Sequence, residues 1–185
     1  MAKNRIYLDW NATAPLLSAA REEMLRVLYM DGNPGSVHKE GRALKTEIEA
    51  ARRAVASLVG ASAAHVTFTG GATEAANLVL TPDFQMGRSA LTVSHLYVSA
   101  IEHPALREGG RFPKTSVTEI PVLSSGVVDL SALEALLHAH DRSAGIPMVA
   151  LMLANNETGI VQPVADAAKI VAAHGGLIVV DAVQA

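Results

Sequence analysis

The sequence predicts an α/β protein with three layers, in which a mainly parallel β-sheet carries helices on both faces. Segments with apolar residues at helical spacing alternate with short apolar runs rich in β-branched residues. The run "PMVALMLAN" is almost continuously apolar, which is typical of a strand buried on both faces. This run, a helix and the run "LIVVD" follow one another with short connections. Such a βαβ unit has two parallel strands, which favours the three-layer fold.

The helices are predicted from apolar periodicity and from signals at their ends. Residues 16–30 and 40–59 place apolar side chains on one face of a helix, and "ATEAANLVL" contains good helix formers. Asp129 is a predicted N-cap for the helix that follows it. Pro163 is expected to open a helix that runs through His174.

The predicted strands are short, and most of them lead directly into polar residues. They cover residues 65–69, 96–101, 115–122, 148–154 and 177–180. Four of them are followed by the segments "TGGATEAAN", "EHP", "NNETG" and "DAVQ". Since ligands of parallel sheets bind beyond the carboxyl ends of the strands, these segments are predicted to form a site at that edge.

Composition limits the class of protein. The chain has 185 residues, of which 50% are hydrophobic and 18% charged, with a formal net charge of -3 and no cysteine. Disulfides and thiolate sites are therefore excluded within these residues, and nothing indicates binding to nucleic acid. No signal peptide, membrane span or zinc-like spacing is visible, so we expect a soluble, cytoplasmic protein without a metal. Residues 1–15 are expected to form an N-terminal segment, and 16–185 part of one large domain.

The segment "TGGATEAAN" has two interpretations. Gly70 and Gly71 permit a tight turn, after which Ala72 and Thr73 open a helix whose first amides favour an anion. The turn is then a phosphate cradle. An ordinary strand-to-helix turn with a threonine cap is an equally good interpretation of the spacing alone.

Polar residues at the other strand ends are ambiguous one by one. Asp181 can accept a hydrogen bond from a loop N–H or pair with a cationic ring nitrogen. His103 can stack on a ring and move a proton, or can simply cap a helix. Asn155 and Asn156 can bind a phenolic oxygen or a carboxylate, or can form a polar turn. The functional interpretation gains weight because these groups and Gln184 converge on one edge.

Seven motifs identify a resemblance that extends over essentially the whole chain. They are "YLDWNATAPL", "NPGSVHKEGR", "VTFTGGATEAANL", "IEHPA", "GVVDLSALEALL", "LMLANNETGIVQP" and "VVDAVQA". Together they resemble the N-terminal part of the cysteine desulfurases of the iron–sulfur assembly and nitrogen-fixation type. These are fold-type-I pyridoxal 5'-phosphate enzymes of the aminotransferase class V family, so the resemblance implies an incomplete pyridoxal-phosphate-binding large domain.

The resemblance implies a role for each cofactor-binding residue. Ala72 and Thr73 would bind the phosphate of pyridoxal 5'-phosphate. His103 would stack on the pyridine ring and assist proton transfer, which makes it the expected catalytic residue. Asp181 would pair with the protonated pyridine nitrogen, and Gln184 would donate a hydrogen bond to the phenolic oxygen.

The substrate side follows from the same resemblance. Asn156 would lie near the phenolic oxygen and the substrate carboxylate, and Asn11 would lie near the substrate. The implied reaction converts L-cysteine to L-alanine and leaves a persulfide on the enzyme as a sulfur supply for iron–sulfur clusters. A homodimer and a sulfur-acceptor or scaffold protein are the implied partners.

The sequence also departs from the family. The lysine that holds the cofactor is expected beyond Gln184, and none of the lysines present lies at a predicted site-facing strand end: Lys3, Lys39, Lys45, Lys114 and Lys169. The loop cysteine and the C-terminal small domain are also absent from these residues. We therefore expect these 185 residues alone to be inactive and to leave one sheet edge unpaired. Two alternatives stay open, another class V lyase and a non-catalytic scaffold module without cofactor.

Overall fold

A computed structural model describes residues 5–185, and the chain divides into two compact units, Met1–Phe68 and Thr69–Ala185. The helices are α1 (Ser18–Leu28), α2 (Lys39–Leu58), α3 (Ala72–Val79), α4 (Pro104–Arg107), α5 (Leu130–His138) and α6 (Val164–Ala173). The strands are β1 (Asp83–Met86), β2 (Ser89–Ser99), β3 (Val117–Ile120), β4 (Ile146–Met152) and β5 (Leu177–Asp181). Two 3₁₀ turns cover Ala63–His65 and Lys114–Ser116.

The first unit contains α1 and α2, which confirm the predicted helices at 16–30 and 40–59. The side chain of His38 caps α2 by accepting a hydrogen bond from the amide of Gly41. A Cβ on Gly41 would lie 2.5 Å from two backbone carbonyl oxygens, so the start of this helix requires glycine. Arg26 of α1 forms ion pairs with Glu23 at 2.6 Å and with Glu47 of α2 at 2.7 Å.

The predicted strand at 65–69 is wrong. His65 ends a 3₁₀ turn, and no strand is assigned to the four residues that follow it. The guanidinium of Arg52 donates to the carbonyl oxygen of Val66 and lies 5.1 Å from the centre of the Phe68 ring. Alternation of apolar and polar residues specifies a strand only where a neighbour supplies the ladder, and here a side chain takes the carbonyl that a ladder would use.

The second unit is built on a mainly parallel sheet, as predicted. Strand β2 pairs in parallel with β3 and with β4, and β4 pairs in parallel with β5. The order is therefore β3-β2-β4-β5, with the short β1 antiparallel to the start of β2. Because β3 and β4 lie on opposite sides of β2, the order in which the chain adds strands to the sheet reverses between β2 and β4. Such a switch point opens a crevice at the carboxyl ends of the two strands.

Two apolar cores cover the two faces of this sheet. On β4, Met148 and Ala150 pack in a cluster with residues of α3 and α4. Their neighbours Val149 and Leu151 pack in a second cluster with residues of α5 and α6. Alternate side chains of β4 thus belong to the two cores on opposite faces of the sheet, which confirms the three-layer arrangement in this unit.

The sequence did not predict the β1–β2 hairpin. The predicted strand at 96–101 is longer in the structure, since β2 begins at Ser89 and ends at Ser99. Gly87 lies in the turn with a φ of 64°, a conformation that favours glycine and suits a two-residue hairpin connection. Among residues 5–185, no helix is both long enough and apolar enough to cross a membrane.

Candidate functional site

The carboxyl edge of the parallel sheet gathers three of the predicted site residues. His103 follows β2, Asn156 follows β4, and Asp181 is the last residue of β5. The register places Met152 opposite Asp181, and the amide of Leu153 donates to the carbonyl oxygen of Asp181 at 2.7 Å. Since β2, β4 and β5 are parallel, their carboxyl ends lie at one edge, as the sequence predicted.

A pocket of about 390 Å³ lies at this edge between α3, α4 and the end of β5. It is lined by Ala72, Ala75, Ala76, Val79, Leu106, Val179, Val180, Asp181, Ala182 and Val183. Ala72 is the first residue of α3, and Asp181 is the charged residue of the lining. The structure therefore brings the start of α3 and Asp181 to one mostly apolar pocket, although they are far apart in the chain.

The carboxylate of Asp181 is half-buried and held in place. Its Oδ1 accepts a hydrogen bond from the amide of Val183 at 3.0 Å, within the turn that follows β5. This is the loop N–H partner that the sequence left open. Among residues 5–185, no Lys, Arg or His forms an ion pair with Asp181, so this residue suits a positively charged group in the pocket.

The turn before α3 is closed by its own polar groups. The hydroxyl of Thr69 donates to the carbonyl oxygen of Gly71 at 3.0 Å, and the amide of Gly70 donates to Oε2 of Glu74 at 2.6 Å. Ala72 and Thr73 are exposed at the start of the helix. The first amides of a helix have no partner within it, so this end suits an anion. Sequence reasoning missed Glu74, which contributes to the turn from the first turn of the helix.

His103 is the N-cap of α4. Its Nδ1 accepts a hydrogen bond from the amide of Ala105 at 3.1 Å, which matches the capping interpretation of this residue. The bond fixes the imidazole ring and leaves the proton of the neutral ring on Nε2. The ring is exposed and is not part of the pocket lining. Helix α4 nevertheless contributes Leu106 to the pocket, so His103 caps a helix that lines the pocket.

The two adjacent asparagines have different environments. Asn155 is buried: its Nδ2 donates to the carbonyl oxygen of Ile101 at 3.0 Å, and its Oδ1 accepts from the amides of Glu157 and Thr158 at 2.9 Å each. Asn156 is half-buried, and its Nδ2 donates to the carboxylate of Glu157 at 2.8 Å. Asn155 therefore connects two loops of the edge, while Asn156 is the more exposed of the two residues.

The remaining two predicted site residues are Gln184 and Asn11. Gln184 is half-buried in the turn after β5, three residues beyond Asp181. Asn11 lies in an exposed turn of the first unit, where the hydroxyl of Tyr7 donates to the carbonyl oxygens of Asp9 and Thr13. The roles of Gln184 and Asn11 stay predictions.

Glu102 is a buried acidic residue that sequence reasoning missed. Its side chain is 5% exposed, and its Oε1 accepts a hydrogen bond from the amide of Met152 at 2.6 Å. Burial raises the pKa of Glu102 to about 7, the charge of Asp181 adds to the rise, and the Met152 amide opposes it. The signal that could have identified it is the acidic residue directly before His103 in "IEHPA". Among residues 5–185, no group of His, Cys, Asp and Glu is arranged to hold a metal ion.

The comparison with protein families agrees with this geometry. The family model described as aminotransferase class-V matches residues 6–185. The chain belongs to the aminotransferase class-V family. The resemblance inferred from the motifs is therefore confirmed.

Curated relatives of this class V protein are named cysteine desulfurases. The chain is 40% identical to the cysteine desulfurase of Cereibacter sphaeroides over 195 residues, covering 98% of this chain and 46% of the relative. It is 33% identical to the cysteine desulfurase IscS of Buchnera aphidicola, covering 98% of this chain and 45% of the relative. The chain thus spans about half the length of these relatives.

Solved structures confirm the fold of the class V chain. The NifS-like protein from Rickettsia africae superposes with a TM-score of 0.80 at 29% identity, covering 95% of this chain and 47% of that structure. Another NifS-like protein superposes with a TM-score of 0.79 at 34% identity, covering 98% of this chain and 50% of that structure. The predicted fold class is therefore confirmed.

Proposed function

We propose that the protein is a cysteine desulfurase that uses pyridoxal 5'-phosphate to convert L-cysteine to L-alanine and an enzyme-bound persulfide. The observation that carries this proposal is the pocket shared by Asp181 and the start of α3 at Ala72. An aspartate carboxylate and the amides of a helix N-terminus are groups that suit a cofactor with a cationic ring and a phosphate. The relatives named cysteine desulfurase, at 33% and 40% identity, support the choice of reaction.

The residues of the pocket fit this cofactor. Ala72 and Thr73 would hold the phosphate through the first amides of α3, with the Thr73 hydroxyl as a further donor. Asp181 would hold the protonated ring nitrogen, and the apolar side chains between them would contact the ring. The cofactor when bound supplies an electron sink for negative charge at the substrate Cα. Asp181 contributes by keeping the ring nitrogen protonated.

His103 is proposed to stack on the ring and to move the substrate proton. Its capping bond to Ala105 supports a fixed ring orientation with Nε2 available. Asn156 is proposed to bind the phenolic oxygen and the substrate carboxylate, which requires its amide to exchange its bond to Glu157. Gln184 is proposed as a second donor to the phenolic oxygen.

The assembly of the whole protein is part of the same proposal. We propose a homodimer that passes sulfur to an acceptor or scaffold protein in the cytoplasm, with Asn11 near the substrate. Large apolar side chains exposed in the first unit, among them Ile6, Leu8 and Trp10, support an interaction surface there. The lysine that binds the cofactor covalently is expected, by resemblance, beyond Gln184.

Cofactor binding tests the proposal directly. We expect the 185-residue chain to bind pyridoxal 5'-phosphate non-covalently and more tightly than pyridoxal, which lacks the phosphate, in calorimetric titrations. Asp181→Asn should weaken binding by about tenfold, corresponding to about 1.4 kcal/mol, because the ring nitrogen loses its charged partner. The matched control is Asp166→Asn, since Asp166 lies exposed on α6 in an ion pair with Lys169 at 2.8 Å.

Two outcomes would contradict the proposal. One is an affinity that does not change in Asp181→Asn, and the other is equal affinity for pyridoxal 5'-phosphate and pyridoxal. We also expect no release of alanine from L-cysteine by these 185 residues with added cofactor. Alanine formation would refute the assignment of the covalent lysine to a position beyond Gln184.

A further inference from the structure

Glu102 lies at the carboxyl ends of β2 and β4, where the strand order of the sheet reverses. It belongs to the turn between β2 and α4, and its amide donates to the carbonyl oxygen of Ser99 at 3.1 Å. The side chain turns inward, where Oε1 accepts from the amide of Met152, the last residue of β4. A carboxyl group therefore joins the carboxyl ends of the two central strands, directly before the residue that caps α4.

The second oxygen of this carboxyl group has no comparable partner. Oε2 of Glu102 is buried and has no hydrogen-bond partner among the described residues. A buried carboxylate with an unsatisfied oxygen is costly, whereas a protonated carboxyl is less so because it carries no charge.

Within the part of the chain that the structure describes, the groups that act on Glu102 do not compensate a negative charge. From β4 it receives one amide, that of Met152, and from β5 the charge of Asp181 acts on it. On its own turn, the adjacent His103 uses Nδ1 to cap α4. Asn155 of the loop after β4 directs its amide to Ile101 instead. Burial and the nearby charge of Asp181 both favour the protonated form of Glu102.

We propose that Glu102 is a positioning residue whose carboxyl group stays protonated in mildly acidic solution and ionises only around neutrality, so that until then it adds no second negative charge beside Asp181, the residue proposed to face a cationic ring nitrogen. The last clause rests on the proposed function, while the protonation of Glu102 does not. The rise in the pKa of Glu102 to about 7 agrees with this assignment. Glu102 is buried whereas Asp181 is half-buried, so desolvation acts more strongly on the carboxyl group of Glu102.

Carbon-13 NMR of side-chain carboxyl groups tests the protonation of Glu102 in the cofactor-free chain. Its signal is assigned by its loss in Glu102→Gln, which keeps an oxygen for the Met152 amide. The titration midpoint is expected near 7, against the usual 4.5. Asp181→Asn should lower the midpoint because the second carboxylate is removed, whereas the exposed control Glu119→Gln should not. A midpoint near 4.5, or one unchanged by Asp181→Asn, overturns the inference.

A second measurement covers the case in which Glu102→Gln does not fold. In wild-type protein, the infrared band of a protonated carboxyl group should persist at pH 6 and disappear above pH 8. It should disappear at lower pH in Asp181→Asn. Absence of a protonated carboxyl at pH 6 overturns the inference as well.

Added pyridoxal 5'-phosphate separates this inference from the proposed function. If the ring nitrogen pairs with Asp181, the midpoint of Glu102 should fall on binding, because the cation offsets the field of that carboxylate. Binding that leaves the midpoint unchanged refutes the link between Glu102 and the site. If no cofactor binds but Glu102 titrates near 7 and responds to Asp181→Asn, the proposed function fails and the protonated carboxyl stands.

Discussion

Replacing Asn155 by alanine should destabilise the second unit more than the same change at Asn156. The Asn155 side chain bonds three backbone groups, the carbonyl oxygen of Ile101 and the amides of Glu157 and Thr158. The bond to Ile101 holds the turn after β2 against the loop after β4, and the other two bonds fix the loop itself. The change therefore loosens two of the segments that form the candidate site.

The expected magnitude follows from the number and burial of these bonds. Each is worth about 1 kcal/mol net, and a buried group left without a partner costs about 1–3 kcal/mol. Glu157 and Thr158 are exposed, so water can replace their bonds, whereas Ile101 is half-buried. We expect Asn155→Ala to lower the free energy of unfolding by about 3 kcal/mol. Asn156 is half-buried and its bond to Glu157 ends on an exposed carboxylate, so Asn156→Ala should cost less than Asn155→Ala.

Urea unfolding followed by circular dichroism at pH 7 measures both variants under the same conditions. The free energy of unfolding is obtained from the midpoint and the slope, which should stay equal between the variants. The reasoning is refuted if Asn155→Ala loses less than about 1 kcal/mol, or if both alanine variants lose the same amount.

Three further predictions concern other parts of the second unit. Burial and then the charge of His140 lower the pKa of His95 below its usual 6.5, so the unfolded chain takes up this proton first as the pH falls. Acidification through 6.5 should thus destabilise wild type relative to His95→Gln, and parallel pH profiles of the urea midpoint would contradict this. Gly110→Ala should cost about 3 kcal/mol in thermal unfolding, because the φ of Gly110 is 55° and a Cβ there would lie 2.5 Å from Leu80. Gly159→Ala should cost only about 1 kcal/mol, because Gly159 has a φ of 71° but open space around it. Equal losses in the two variants would refute the role of the contact with Leu80. Asp129→Ala should cost about 1 kcal/mol through loss of the cap on α5, whereas Asp129→Ser keeps a capping oxygen and should cost much less. Urea midpoints that do not separate the two variants would contradict the capping argument.

Much of the second unit was predictable because its signals are local. Helix periodicity, the cap at Asp129 and the apolar run of β4 are properties of neighbouring residues. The same local signals placed polar residues after parallel strands, and parallel strands must end at one edge. The candidate edge, with His103 and Asp181, followed from these facts without knowledge of the strand order.

Local signals failed where another part of the chain decides the outcome. The segment at 65–69 has the pattern of a strand, but the carbonyl of Val66 is bonded by Arg52. The two adjacent asparagines cannot be distinguished by pattern, yet Asn155 is buried and Asn156 is more accessible. Both differences arise from contacts between residues that are remote in sequence.

The sequence by itself determined most of the helices and the central strands, that these strands are parallel and which residues follow their carboxyl ends, since spacing and end signals act over a few residues. The tertiary structure decided the order of the strands, the pocket between α3 and β5, and the burial of Glu102. The bond between Glu102 and the Met152 amide joins residues 50 positions apart. Burial and a nearby charge set the protonation of a carboxyl group, and both depend on what the fold brings next to it.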